Sequence, residues 1–286
     1  MESAIKLFFL TTLTMVAFAA SSILNRLALA VEEIGPSAFA SIRVGAGAAV
    51  LILLLSLRDR AVPKFAKPNI AAFIALTAYM LGFSYAYVTM DAGLGALILF
   101  GGVQITMFVG AVLEGQNPSL RRWLGMGLAV MGLAVLANPF GAVEFTPAAL
   151  ALMSCAALGW GVYSLIGRGV ADPIHATAWN FIYCLPLVLL AWLVWPDTTS
   201  ISGNGIALAI VSGGITSALG YALWYSLLPQ LGATRGALAQ LSVPAIAMGM
   251  GIFVLSESIT ATAVLSAAMI LGGIAVGLVS PVRKDG

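Results

Sequence analysis

Ten long apolar runs follow one another along this chain, and they restrict its fold more than any other feature. The runs, numbered here as spans 1 to 10, are residues 7–30, 36–57, 69–90, 92–113, 120–137, 147–168, 174–195, 204–228, 234–256 and 259–280. A helix needs about 20 apolar residues to cross the roughly 30 Å of hydrocarbon in a bilayer. The sequence therefore predicts an all-α membrane protein of ten transmembrane helices.

The composition leaves no room for a soluble domain beside these spans. Of the 286 residues, 61% are hydrophobic and 8% are charged, whereas a soluble domain carries about 25% charged residues. The first span could instead be a signal peptide, but its apolar run continues past the Ala17 to Ala19 segment that would mark cleavage. We therefore expect the function to lie within the membrane-spanning part.

The distribution of basic residues predicts the orientation, because lysine and arginine concentrate in cytoplasmic loops. With a cytoplasmic N-terminus, the basic residues of the connections, termini and inner span ends all fall on the inner side, and only Arg26 and Arg43 lie within spans away from that side. The inner set is Lys6, Arg58, Arg60, Lys64, Lys67, Arg121, Arg122, Arg168, Arg235, Arg283 and Lys284. We expect both termini in the cytoplasm and a multi-pass protein of the bacterial inner (plasma) membrane.

The second half of the sequence repeats short motifs of the first half in the same order. The matched pairs are Phe18-Ala19 with Trp160-Gly161, Arg26 with Arg168, Pro36 with Pro173, Tyr87 with Tyr225, Gly95-Ala96-Leu97 with Gly236-Ala237-Leu238, and Glu114 with Glu257. Each half holds an odd number of spans, so the halves must run in opposite directions. This predicts two inverted five-helix repeats, 1–140 and 141–286, as in many secondary transporters.

Two spans in matching positions carry residues that can interrupt a helix near its centre. Span 4 contains Gly101 and Gly102, and span 9 contains Pro244, which lacks a backbone donor and kinks helices. Matched interruptions indicate a transporter's binding site at the interface of its repeats. We predict hinges at these three residues, although glycine and proline are also common in membrane helices without such a role.

Polar and aromatic side chains within the spans predict the lining of a central cavity. Gln104 and Gln240 lie close to the interruptions, and an amide facing lipid is costly. The candidate substrate-binding residues are Arg43, Tyr79, Phe100, Gln104, Trp160, Tyr163, Trp179, Asn180, Tyr221, Trp224 and Gln240. An aromatic stripe more often represents helix packing than a ligand pocket, and both interpretations stay open for each ring.

Arg43 is the only cation well inside a span, where a charge is expensive unless it faces a cavity or is paired. One interpretation makes it an anchor for a substrate carboxylate. The other makes it a structural cation that caps backbone carbonyls or pairs with a carboxylate such as Asp91 or Glu257. Glu114 and Glu257 themselves end spans 4 and 9 at opposite faces, and we interpret both as structural.

The residues that intramembrane chemistry requires are missing. Catalysis needs a nucleophile with a base or a metal cluster, and the chain has one histidine, His175, and two cysteines in separate spans. We expect no enzymatic activity, cofactor, metal or nucleic-acid partner; the oligomeric state stays open, and a monomer is compatible with the sequence. A channel is disfavoured because no ring of charges or repeated filter sequence appears.

Four features resemble motifs of a known transporter group. They are Trp160-Gly161, Pro36 followed by Arg43, the stretch from Gly232 to Pro244, and Glu257 with Thr260 before a glycine-rich last span. Over nearly its whole length the chain resembles the EamA-type ten-helix members of the drug/metabolite transporter (DMT) superfamily, and most of all the YddG-type aromatic amino acid exporters. It departs from their pattern at Phe18, where tryptophan is usual, and at Gly101-Gly102-Val103, where a mid-helix proline is usual.

The resemblance implies export of amino acids, aromatic ones among them, and of related small metabolites by alternating access. No carboxylate lies near the middle of any span, which argues against strict proton antiport and against export of permanent cations. A largely neutral, ring-lined cavity suits amphipathic, zwitterionic or uncharged solutes. A multidrug or quaternary-amine exporter is the alternative function.

Overall fold

The structure, a computed structural model, describes residues 2–136, 146–168 and 170–278. All regular secondary structure in these ranges is helical, which confirms the all-α prediction. The helices are α1 Glu2–Leu29, α2 Pro36–Asp59, α3 Ile70–Ala86, α4 Ala92–Leu113, α5 Leu120–Leu136, α6 Pro147–Gly167, α7 Pro173–Val194, α8 Gly203–Val211, α9 Gly220–Gln240, α10 Ser242–Leu255 and α11 Ala261–Leu278. A π-helical segment, Ser212–Leu219, joins α8 to α9.

Eight helical stretches within the described ranges are long and apolar enough to cross a membrane, and α3 is a shorter apolar helix. Together they correspond to spans 1 to 4 and 6 to 10, and α5 occupies span 5 with 17 residues. The multi-pass membrane class is thus confirmed, while the count of ten crossings stays a prediction. The predicted boundary between residues 140 and 141 and the cations Arg283 and Lys284 lie outside the described residues.

Short polar side chains specify where several helices begin. Asn69 accepts a hydrogen bond from the backbone N–H of Ala72 before α3, and Thr146 does the same for Ala149 before α6. Such caps satisfy backbone donors that have no partner within the helix. Proline stands at the first position of α2, α6 and α7, where its missing N–H costs nothing.

The equivalent helices α2 and α7 run antiparallel to each other. At one end, the Asp197 carboxylate after α7 accepts hydrogen bonds from the N–H groups of Ser37 and Ala38 at the start of α2, at 3.1 and 2.7 Å. At the other end, Arg58 near the end of α2 pairs with Asp172 just before α7, at 2.6 Å. Opposite directions in equivalent helices are what inverted repeats require.

The first helix of each half packs against the other half. α6 lies against α3 and α4, and the corresponding helix α1 lies against the α8–α9 region and α10. The last helices, α5 and α11, pack together across the interface. The halves therefore form one two-fold-like assembly whose core is their shared interface.

Helix α4 is continuous from Ala92 to Leu113, so the interruption predicted at Gly101 and Gly102 is absent in this conformation. A side chain at Gly102 would lie 2.7 Å from the Ala157 side chain of α6, and one at Gly101 would lie 3.0 Å from Ile270 of α11. These glycines allow close helix contact, a common role in membranes. Near Pro244 the helix is interrupted, at Leu241 between α9 and α10. The hinge role of all three residues stays a prediction.

Candidate functional site

A small cavity lies at the interface of the two halves, and we call it the central chamber. Its lining residues are Phe18, Ser21, Ser22, Arg43, Tyr79, Phe83, Leu99, Phe100, Trp160, Thr216, Ser217 and Tyr221. Its volume is about 20 Å³, enough for about one water molecule. Five predicted site residues thus come together here: Arg43, Tyr79, Phe100, Trp160 and Tyr221.

Trp160 is the centre of the aromatic wall. Its ring centroid lies 4.9 Å from those of both Tyr79 and Tyr221, which belong to different halves. It also stacks on Tyr163, with 5.6 Å between centroids. Distances of 4.5 to 7 Å are favourable for aromatic pairs. The chamber is therefore bounded by interlocked rings contributed by both repeats.

Arg43 is buried in this wall, with 1% of its surface exposed. Its Nε and Nη2 atoms donate to the hydroxyls of Ser217, Ser21 and Tyr79 at 3.1 to 3.2 Å. The guanidinium also lies over the rings of Phe83 and Tyr79, 4.9 and 5.5 Å from their centroids. Its Nη1 atom has no hydrogen-bond partner.

No carboxylate among the described residues forms an ion pair with Arg43. Asp91 and Glu257, the partners that the structural interpretation assigned to it, pair instead with Arg26, at 3.4 and 3.7 Å. That pairing was wrong because Arg26, one helical turn from the end of α1, lies beside the loops that carry both carboxylates, whereas Arg43 lies deeper in the bundle. The groups that contact the buried charge of Arg43 are therefore neutral hydroxyls and the faces of aromatic rings.

A second cavity, which we call the α6–α7 cavity, opens between the loops at the end where α1 begins and α2 ends. We call this end of the bundle the terminal face. The cavity has a volume of about 240 Å³, and its lining includes Tyr163, Trp179 and Asn180 of the predicted site together with Lys67 and His175. Because Tyr163 stacks on Trp160, these two rings separate the α6–α7 cavity from the central chamber.

The remaining predicted residues lie outside the central chamber. Gln104 lines a third cavity of about 320 Å³, with Arg122 and Arg168, which also lies towards the terminal face. Trp224 is buried behind Phe18, with 6.1 Å between ring centroids. Gln240 is half-buried and lines none of the three cavities described here.

The face opposite the terminal face is closed by a partly buried ionic cluster. Arg26 pairs with Asp91 and Glu257, and it donates to the Val88 carbonyl at 2.9 Å. The Glu257 carboxylate also accepts a hydrogen bond from the N–H of Ala92, at the start of α4, at 2.8 Å. Burial raises the pKa of the Glu257 carboxyl above its ordinary value, since desolvation penalises its charged form.

The same pair recurs at the terminal face in repeat-equivalent residues. Arg168 and Glu114, which match Arg26 and Glu257, form an ion pair at 3.3 Å. The side chains of this pair are 42% and 55% exposed, whereas those of Arg26 and Glu257 are 19% and 11% exposed. One face is therefore closed and the other is open, although both carry the same pair of charges.

Comparison with known proteins places this architecture in a family. The model of the EamA-like transporter family matches residues 5–138 and again residues 147–279. The chain belongs to the EamA-like transporter family. Its two matches correspond to the two halves. Membership also excludes the enzyme class, because EamA-like proteins are transporters, although the exact domain bounds of 1–140 and 141–286 stay predictions.

Relatives of this EamA-like transporter cover most of its length. An uncharacterized Pseudomonas aeruginosa protein, PA1977, is 42% identical over 93% of this chain and 92% of its own. The uncharacterized transporter YoaV of Bacillus subtilis is 25% identical over 85% of this chain and 87% of its own. A Salmonella typhimurium protein named "Probable amino-acid metabolite efflux pump" is 23% identical over 65% of this chain and 67% of its own.

The fold also matches a solved structure. A crystal structure superimposes with a TM-score of 0.66 at 18% identity, covering 93% of this EamA-like chain and 98% of the other. At this identity the match shows a shared fold only.

The π-helical segment supplies two chamber residues that are not among the predicted site residues. Thr216 and Ser217 come from this segment, and Ser217 is the hydroxyl that two nitrogen atoms of Arg43 share. π-Helical turns are rare and frequently mark functional sites. Neither Thr216 nor the π turn was predicted from the sequence, since the apolar pattern of residues 204–228 predicts an ordinary helix.

Proposed function

We propose that this EamA-like transporter exports amino acids, aromatic ones among them, and related small metabolites from the cytoplasm by alternating access. The observation that carries the proposal is the central chamber, which rings from both halves enclose and which two larger cavities approach from the terminal face. A binding site at the interface of inverted repeats is the arrangement that alternating access requires. The Salmonella relative's name supports amino acid metabolites as the substrate class.

The unequal burial of the repeat-equivalent ion pairs supports the alternating mechanism. Exchanging the conformations of the two halves would bury Arg168 with Glu114 and expose Arg26 with Glu257. Another equivalent pair follows the same pattern, since Tyr87 is fully buried at the closed face while Tyr225 lines the α6–α7 cavity. In this proposal the described conformation opens towards the terminal face.

The proposed orientation places the terminal face in the cytoplasm. The loops at this face carry the basic residues Arg60, Lys64 and Lys67, and the loop that begins α2 at the opposite face carries Glu32 and Glu33. The positive-inside rule then puts both termini on the cytoplasmic side of a bacterial inner membrane. A monomer with ten crossings satisfies the proposal.

The alternative, a multidrug or quaternary-amine exporter, receives less support. A permanent cation in the central chamber would lie near the buried guanidinium of Arg43, and like charges in a low-dielectric site repel strongly. No carboxylate among the chamber-lining residues would offset that repulsion.

The test is transport by purified protein in liposomes. We expect saturable flux of labelled phenylalanine or tryptophan, reduced at least fivefold by Trp160→Ala because the mutation removes the ring that joins both repeats. The matched control is Trp195→Ala, a change of a tryptophan that is 68% exposed and does not line the chamber.

Two outcomes would oppose the proposal. The absence of saturable flux for every amino acid tested would refute amino acid export. Resistance of cells to cationic dyes, without amino acid transport, would favour the multidrug alternative.

A further inference from the structure

The uncompensated charge of Arg43 suggests which solutes the central chamber accepts. A charge removed from water is normally paired or fully hydrogen-bonded, because isolated burial is costly. Arg43 is almost completely buried, yet its hydrogen bonds go to the hydroxyls of Ser21, Tyr79 and Ser217. None of these groups is negatively charged, so the site has a net positive charge.

The donor inventory of Arg43 leaves one nitrogen for a ligand. A guanidinium has five N–H donors and no acceptor. Nε and Nη2 are occupied, while Nη1 is buried and has no partner. The rings of Phe83 and Tyr79 attract the positive charge through their faces, but they offer Nη1 no in-plane acceptor. Because Arg43 lines the central chamber, Nη1 is the donor left for a solute bound there.

A carboxylate is the group that satisfies this donor. It supplies the missing negative charge and an acceptor oxygen, and charge-assisted hydrogen bonds of this kind are about twice as strong as neutral ones. The hydroxyls of Ser217 and Tyr79, already turned towards Arg43, would lie beside the same carboxylate and can donate to it.

The chamber has no matching group for an ammonium. Its described lining consists of rings, aliphatic groups, hydroxyls and Arg43, with neither aspartate nor glutamate. An α-amino group would therefore meet hydroxyls and ring faces only. Recognition would depend on the carboxylate and on the apolar body of the solute.

We propose that Arg43 binds the carboxylate of the transported solute, and that the substrates are monocarboxylates with an aromatic or apolar body for which an α-amino group is not required. This inference rests on the proposed export function and narrows its substrate class. It places deaminated relatives of the aromatic amino acids among the substrates and excludes the corresponding amines.

Access to Arg43 requires a rearrangement of the aromatic wall. At about 20 Å³ the chamber is smaller than any such solute, and the stacked Trp160 and Tyr163 rings separate it from the α6–α7 cavity. Displacing these rings would join the chamber to a cavity of about 240 Å³ whose lining includes the exposed Lys67. A basic residue in that lining attracts anions rather than cations.

The first test measures binding without requiring transport. Purified protein is heated with phenylalanine, 3-phenylpropionate or phenethylamine, which share one ring and differ in their charged groups. We expect the two carboxylates to raise the melting temperature and the amine to leave it unchanged. Stabilisation by phenethylamine, or by phenylalanine without 3-phenylpropionate, would overturn the proposal.

The second test uses substitutions and flux. In liposomes, Arg43→Gln should reduce phenylalanine and 3-phenylpropionate flux about tenfold or more, and Arg43→Lys should retain more of it because the charge is kept. The control, Arg121→Gln, changes an exposed arginine at the start of α5 and should have no effect. Wild-type flux in Arg43→Gln would overturn the proposal.

Failures of the two proposals are distinguishable. If the wild-type protein binds the carboxylates but moves none of them, the export function fails while the carboxylate site stands. If it moves amino acids and amines equally well, export stands and the role of Arg43 fails. Should Arg43→Gln not fold, the wild-type ligand series still decides the matter.

Discussion

The ionisation of the Glu257 side chain is coupled to the closure of the face opposite the terminal face. Its carboxylate caps the start of α4 through the N–H of Ala92 and lies 3.7 Å from Arg26. Desolvation is the largest cause of its raised pKa, and it exceeds the favourable effect of Arg26. The closed face therefore binds a proton at Glu257 more tightly than an open, hydrated face would.

Acidification should consequently stabilise the closed form of this face. The effect should appear as pH falls from neutrality towards the ordinary glutamate pKa of about 4.3, because only the closed form has the raised value. We expect hydrogen-exchange protection factors at residues 87–95, corrected for the intrinsic effect of pH, to increase over that interval. Glu257→Gln should abolish this increase, and Glu114→Gln, which changes the exposed equivalent, should preserve it. A pH response that persists in Glu257→Gln would contradict this assignment.

The burial of Arg43 could be predicted from sequence, but its partners could not. A cation in the middle of an apolar run has to face inward, because the run places it within the membrane and a charge facing lipid is costly. The hydroxyls that surround it come from α1, α3 and the π-helical segment. Those contacts join residues up to 174 positions apart, and no local pattern encodes such a pairing.

At the scale of elements, the contact between α5 and α11 depends on glycines that leave room for backbone atoms. A side chain at Gly125 would collide with the carbonyl oxygen of Gly273 and lie 2.9 Å from the nitrogen of Gly277. Gly127, two residues later on the same helix, has nothing within 4 Å of the equivalent position. The two glycines have the same helix propensity and differ only in what they face.

Gly125→Ala should therefore destabilise the protein by about 1–3 kcal/mol, the usual cost of overpacking. Gly127→Ala should be neutral or stabilising by up to about 1 kcal/mol, because alanine restricts the unfolded chain and favours the helix. Thermal unfolding of both variants in detergent provides the comparison. Equal melting temperatures would show that the close contact between α5 and α11 contributes little.

Sequence reasoning predicted the helices better than their internal geometry. Long apolar runs bounded by proline and polar caps located nearly every helix, since hydrocarbon thickness fixes the length of such runs. The same glycines that suggested a break in α4 lie in a continuous helix, because glycine serves close packing as well as bending. The π-helical segment packs against α1 and α2, and the composition of the segment does not predict this packing.

For the whole molecule, the two ion pairs give a direct measure of which face is closed. Arg26 is held by two carboxylates and by the carbonyls of Tyr87 and Val88. Its equivalent, Arg168, is more exposed and pairs with Glu114. The Arg26 ion pairs should therefore contribute more to stability at the closed face than the Arg168 ion pair contributes at the terminal face.

Removing each arginine should reveal this inequality. Arg26→Gln leaves Asp91 and Glu257 close together without their cation, and we expect a destabilisation of up to about 3 kcal/mol with faster hydrogen exchange at residues 87–95. Arg168→Gln should cost less than about 1 kcal/mol, as exposed pairs usually do. Similar exchange at both faces in the two variants would mean that the pairs do not distinguish them.

The packing of α1 and α6 against the opposite halves also constrains the order in which the helices assemble. α1 is synthesised before the second half, but most of the elements that cover it belong to residues 203–255. Asn25 in its buried polar row, for example, donates a hydrogen bond to Ser212 of the π-helical segment. The docking of α1 is therefore a late step of biogenesis, because it requires that the second half has already entered the membrane.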